Sequence, residues 1–251
     1  MNYRIIGIII LVLSFINTAG GQELPERSEN FWGAGFSYGM NFPAGDLADR
    51  FGRSFHAGVS VDFFRKKMNS VISLEALIFF GSNVEEDVLA GQRTESGAIL
   101  GNNGSYADVF LRQRGLFAGL LFNKNIVPLK ENRHAGLSAG LGLGVLQHNI
   151  RLQVDSRNAP QLSGDYAKGY DRHTMGPALK QNLSYLHIGK NKTINYEIRL
   201  FVIEAFTKNT RVINFDTGLK DDASRLDIII GLEFKWLIPL KDQQAAGEIF
   251  Y

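Results

Sequence analysis

The feature that most constrains this chain is an alternation with a period of two residues that recurs along most of its length. It is clearest in FWGAGFSYGMNF, residues 31–42. Trp32, Ala34, Phe36, Tyr38, Met40 and Phe42 hold one parity; Gly33, Gly35, Ser37, Gly39 and Asn41 hold the other. Successive side chains of a strand point to opposite faces, so such a stretch is a two-faced strand. A soluble sandwich would bury the large apolar set as a core. A membrane barrel would turn it outward to lipid and leave Gly, Ser and Asn to the lumen.

The pattern returns in 54–65, where Phe55, Ala57, Val59, Val61 and Phe63 oppose His56, Gly58, Ser60 and Asp62. It returns again in 70–81, 110–122 and 135–148, more weakly in 175–188, and then in 194–206 and 225–238. In 135–148 the apolar set runs from Ala135 to Val145, against four glycines and Ser138. Eight strands of about 12 residues, at about 3.3 Å each and tilted about 40°, rise roughly 30 Å, enough to cross an apolar band of about 25 Å. The connections 66–69 and 189–192 are short, whereas 82–109, 149–174 and 207–224 are long and 43–53 is intermediate. Alternating short turns and long loops are the asymmetry of an outer-membrane barrel, with turns periplasmic and loops outside. The expected fold is therefore all-β: an eight-stranded antiparallel up-and-down transmembrane barrel over residues 30–240.

The start of the chain supports export. Arg4 precedes an apolar run from Ile5 to Ile16, followed by Ala19-Gly20-Gly21. This reads as a signal peptide over 1–21, with 22–29 a short periplasmic segment. The run is too short to span a bilayer as a helix, which needs about 20 residues. With no cysteine in the chain, neither a lipid anchor on cysteine nor a disulfide is available. Lys plus Arg number 27 against 25 Asp plus Glu, a balance that gives no reason for a nucleic-acid partner. Residues 241–251 read as a periplasmic tail, apolar only in Ile249, Phe250 and Tyr251, and a candidate docking peptide.

The topology sorts the outward aromatics into two girdles, as expected where rings meet headgroups. Trp32, Phe63, Phe122, Tyr185, Tyr196 and Trp236 fall at the periplasmic end; Phe42, Phe55, Phe80, Phe110 and Phe206 fall at the outer end. The inward parity collects charges, and by depth Glu75, Lys180, Glu197, Arg199 and Glu233, with Lys235 and Asp62 nearby, should meet inside. Buried charges persist when paired, so these are expected to form a structural network rather than a catalytic dyad. The glycine-rich inner faces of the first and fifth strands are expected to make room for it.

Catalysis needs a nucleophile, a base and an orienting carboxylate within reach of one another. None of His56, His134, His148, His173 and His187 is joined by a serine and a carboxylate at adjacent strand positions, so no catalytic residue is expected. No His, Asp or Glu cluster has metal-ligand spacing, and no cofactor or metal is expected. The acidic stretches VEEDVLAGQRTESG (84–97) and DDASR (221–225) read as solvated rim. Asn103-Gly104-Ser105 and Asn191-Lys192-Thr193 read as turn chemistry. In Phe110-Leu111-Arg112-Gln113-Arg114 two arginines fall on the lipid parity. Either a bulge re-registers them, or they stand above the bilayer among headgroup phosphates, which is preferred.

NFPAGDLADRFG (41–52), GSYADVFLRQRG (104–115), GYDRHTMG (169–176) and EIFY (248–251) are similar to segments of small outer-membrane β-barrels of Bacteroidota. These belong to the broad OmpA/OmpX-like, porin-like group, and the chain resembles an uncharacterised family within it. The resemblance implies a fold and a membrane with its lipid and lipopolysaccharide, not an activity. The reading is a non-enzymatic barrel binding a protein partner in an envelope complex, such as secretion or barrel assembly, through its long loops or tail. The alternatives are a narrow small-solute pore and, less favoured, a lipid A-modifying enzyme. Oligomeric state is not legible.

Overall fold

The computed structural model describes residues 30–65, 67–102, 104–129, 132–154, 159–188 and 195–240. The expected signal peptide, the segment 22–29, the tail with Ile249, Phe250 and Tyr251, Asn103 and the whole of Asn191-Lys192-Thr193 lie outside the described residues. Eight antiparallel strands form the barrel: β1 (Phe31–Gly45), β2 (Ser54–Arg65), β3 (Ser70–Gly81), β4 (Val109–Leu129), β5 (Asn132–Val154), β6 (Thr174–Ile188), β7 (Asn195–Asn209) and β8 (Ser224–Leu240). Each pairs with its chain neighbour, and β1 closes on β8 from Trp32↔Leu240 to Gly45↔Asp227. Closure removes the free edges that an open sheet would expose.

The apolar parity faces out. Leu143 is 71% exposed and Leu74 62%, whereas Arg199 and Lys180 are 0% exposed. This inverts the distribution of a water-soluble protein, where charged side chains are almost never fully buried. Between the two expected girdles the outward positions of β1, β2, β3 and β8 carry no charge, whereas β4 carries Arg112 and Arg114, and on β6 and β7 Gln181 and Glu204 hydrogen-bond across the strand pair at 3.4 Å.

Two departures from the expected strands have local causes. β4 and β5 run on to 21 and 23 residues, so β5 ends at Val154 rather than at the expected 148. The register of β4 and β5 slips twice near their turn, between Asn125 and Val127 and between Pro128 and Leu129. Gly136 sits there at φ +122°, a conformation that L side chains avoid. The slip turns Ala135 inward, so it is buried rather than lipid-facing.

At the turn end the lumen is floored by Phe31, Phe64, Ala135, Leu186, Ile188 and Leu237. Phe31 and Phe64 stack with ring centroids 4.2 Å apart. Above this floor lies a charged layer. On its loop side the inward residues turn apolar again: Leu77 and Phe79 on β3, Phe117 on β4, Leu146 on β5, Phe201 and Ile203 on β7, Ile229 on β8.

Candidate functional site

The charged layer is one connected set. Arg199, from the middle of β7, reaches Glu75 at 2.6 Å, Glu197 at 3.0 Å and Glu233 at 3.1 Å. Lys180 closes on the other oxygen of Glu75 and lies 4.3 Å from the centre of the Phe201 ring. Lys235 bridges Asp62 at 2.7 Å and Glu197 at 3.4 Å. The six charges expected in the lumen thus stand together, joined by Asp62 and by His56, whose Nε2 faces Glu233 at 3.2 Å.

The glycines of β1 explain how these groups meet. Glu233 and His56 are both register partners of Gly39, one on each side. A Cβ at Gly39 would lie 2.5 Å from His56 Cε1, and one at Gly35 would lie 2.4 Å from Lys235 Cε. β1 is therefore a trough across which β8 side chains reach β2 at the closing seam. The β5 glycines act otherwise than expected. Gly140, Gly142 and Gly144 admit Asn123, Leu121 and Phe117 of β4, because the inward side chains of the neighbouring strand lean over them. Between floor and charges a cavity of about 10 Å³ remains, room for one water at most.

Over the open end the loops fold into a crown. Leu47 and Phe51 of the first loop, Val88, Leu89 and Ile99 of the second, and Ala159 and Leu162 of the third are buried and continuous with the barrel core. The second loop also carries a two-stranded ribbon, Ile99–Leu100 with Tyr106–Ala107. One line of charges ties all four loops. Arg50 Nε donates to Glu86 at 2.8 Å, Arg172 Nε donates to the other Glu86 oxygen at 2.6 Å, and Arg172 forks onto Asp216 at 2.8 and 2.5 Å. Arg50 also donates to Thr174 Oγ1 at 2.9 Å. Two of the quoted segments, 41–52 and 169–176, therefore meet in the crown.

Burial alone would raise the pKa of Glu86, but Arg50 and Arg172 outweigh it and hold the carboxyl below its usual range. Burial likewise opposes the charge on Arg172, and its bonds to Asp216 and Glu86 prevail and raise it. Arg172 holds φ +50°, a left-handed geometry unusual for a non-glycine residue, and these bonds fix it there. The expectation of a solvated acidic rim is corrected at 84–97, since Glu86 is an internal tie and Val88 and Leu89 are core. In 221–225, Asp221 pairs with Arg225 at 2.8 Å.

Sequence reasoning missed two histidine–carboxylate pairs because each depends on cross-strand depth. One is His56–Glu233; the other is His148–Asp227, at 2.7 Å near the crown. Thr207 donates to the same Asp227 oxygen. In this trio the carboxylate stands between hydroxyl and imidazole, whereas a nucleophilic triad needs the imidazole between hydroxyl and carboxylate. His187 lies outside, stacked on Tyr196 at 5.1 Å, and His173 meets Thr210 at 2.6 Å. No group of three His, Cys, Asp or Glu fit to hold a metal occurs among the described residues.

The girdle residues are placed as follows. Toward the turns Trp32 packs on Phe63 at 4.7 Å, Phe122 pairs with Ile72, Tyr185 with Ile198, and Trp236 with Tyr196. Toward the loops Phe55 and Phe80 lie 6.4 Å apart, Phe42 pairs with Ile230, Phe206 with Leu226, and Phe110 with Gln153. Arg112 and Arg114 point outward in unbroken register with no bulge.

Fold and site define a small closed barrel with an apolar exterior, a packed lumen and a tied loop crown. No protein-family model and no curated protein matches the chain. Among solved structures it is similar to Ail, the attachment invasion locus protein of Yersinia pestis (10% identity, 84% of this chain and 99% of that one, TM-score 0.42). It is also similar to Neisserial surface protein A (9%, 84% and 99%, TM-score 0.38). A third is the outer membrane protein OprG from Pseudomonas aeruginosa (14%, 83% and 95%, TM-score 0.38). At 9% to 14% identity these are likenesses of architecture alone.

Proposed function

We propose that this chain is a non-enzymatic outer-membrane barrel whose loop crown binds a protein partner in an envelope complex. The outward apolar face supports the location, because only helices and closed barrels satisfy every backbone group in lipid. The observation that carries the binding role is a crown tied by ion pairs that nonetheless leaves large apolar side chains in solvent. Val212 is 85% exposed, Leu219 68%, Tyr106 67% and Tyr166 66%. Val212 and Leu219 share the fourth loop, and large apolar side chains held in solvent on tied loops offer a partner surface to bury. The lumen offers no support to a pore, since a charged layer and an apolar layer both fill it. The carboxylate-centred trio offers none to a hydrolase.

The test is native mass after extraction in mild detergent, for the wild type and a Val212→Asp/Leu219→Asp variant. The expected result is a discrete complex that the double variant loses while keeping its heat-modifiable gel mobility, the mark of a folded barrel. A wild-type barrel of monomer mass, or a complex indifferent to both substitutions, would overturn the proposal.

A further inference from the structure

Outside the barrel wall, at the level of the loop-side aromatics, lies a groove of about 640 Å³ between the outer faces of β1 to β5. Its lining combines the aromatic rings of Phe42, Phe55 and Phe80 with the cations Arg53, Arg112 and Arg114. Arg114 stands beside Phe80 as its register partner, and Arg151 stands directly across from Arg112. Like charges directly opposite one another across a strand pair are destabilising. Among the described residues Arg112 donates a hydrogen bond only from Nε, toward Gln153 at 3.4 Å, with its guanidinium 5.6 Å from the centre of the Phe110 ring, and Arg114 donates only from Nη1, toward the Gln113 carbonyl at 2.8 Å. Among the described residues no carboxylate forms an ion pair with Arg53, Arg112, Arg114 or Arg151. Guanidinium groups left with free forks suit a phosphate, which they bind in bidentate fashion.

We infer that this groove is a binding site for a phosphorylated outer-leaflet lipid. Its phosphate would sit on Arg112, Arg114 and Arg53, and an acyl chain would lie along Phe42, Phe55 and Phe80. Two independent halves of one amphiphile are matched, cationic groups and an aromatic surface side by side in one groove. The inference rests on the membrane location proposed above.

The experiment titrates the folded full-length protein in dodecyl maltoside with three probes: diphosphorylated lipid A, the same lipid dephosphorylated, and inorganic phosphate. Binding is read by native mass spectrometry. The expected result is saturable binding of diphosphorylated lipid A, at least about tenfold weaker binding of the other two probes, and a tenfold or greater loss in Arg112→Gln/Arg114→Gln. Equal binding of the dephosphorylated lipid would reduce the site to an apolar groove, and equal binding of inorganic phosphate would remove the lipid; either overturns the inference. Undiminished binding by the double variant does the same. Comparing probes on the wild type keeps the test decisive if that variant fails to fold. Failure of the membrane reading is separable, because the protein would then stay soluble without detergent and show no heat-modifiable band.

Discussion

At the scale of single residues, Arg199 holds the lumen together, because three carboxylates on β3, β7 and β8 converge on it in a fully buried site. Removing one partner of a buried ion pair leaves uncompensated charge and costs about 3–5 kcal/mol. Arg199→Ala should therefore lower markedly the temperature at which the barrel loses its folded gel mobility; a midpoint equal to wild type would mean that Glu75 and Glu233 do not depend on it. Glu86 is the matching residue of the crown. Its carboxyl is held below the usual range, so its contribution is present above the unfolded value of about 4.3 and is lost as pH falls through the lower folded value. Proteolysis within 82–108 should accelerate below about pH 4, and Glu86→Gln should show that acceleration already at pH 7. The lumen charges were legible in the sequence because parity alone puts Glu75, Lys180, Glu197, Arg199, Glu233 and Lys235 inside. Glu86 was not, since a loop has no period and its burial depends on arginines 36 positions earlier and 86 later.

At the scale of elements, β1 shows why an inner face of small residues is required and not merely tolerated. A Cβ at Gly39 would stand 2.2 Å from the Leu232 carbonyl oxygen as well as 2.5 Å from His56. The first contact is with backbone and cannot relax by a rotamer change. Gly39→Ala should therefore destabilise the barrel by about 1–3 kcal/mol, the usual range for overpacking, whereas Gly91→Ala, with no heavy atom within 4 Å, should be silent. Comparing refolding yields of the two variants in detergent checks this; equal yields would mean that the seam is loosely packed. Strand existence was legible from alternation, and β2 and β3 end where the pattern ends. The outer ends of β4 and β5 were not, because above the lipid-facing zone a ribbon meets the crown on one side and solvent on the other. Alternation fades there while the hydrogen-bonded ladder continues. Ala135 was misplaced for a related reason: one slip in register exchanges the two faces.

At the scale of the whole molecule, the barrel is stacked in layers: an apolar floor, a charged layer, an apolar layer, and then the crown. Ions would have to pass the floor without displacing Phe31 or Phe64, then cross among paired charges whose partners already satisfy them. Next they would enter a region lined by Phe79, Phe117, Phe201 and Ile203, all at most 1% exposed. Transferring an unpaired charge into such surroundings costs far more than thermal energy. Eight strands leave an interior just wide enough for side chains to fill, and here they do fill it. Purified barrel in planar bilayers should therefore give no single-channel steps, and liposomes carrying it should swell in small sugars no faster than protein-free ones. Arg199→Ala tests the layering more sharply. If the charged layer were the only seal, that variant would conduct; because Phe117, Phe201 and Leu146 close the lumen independently above it, the variant should lose stability and remain silent. Steady conductance in the wild type would require the apolar layer to open and would put the pore ahead of partner binding.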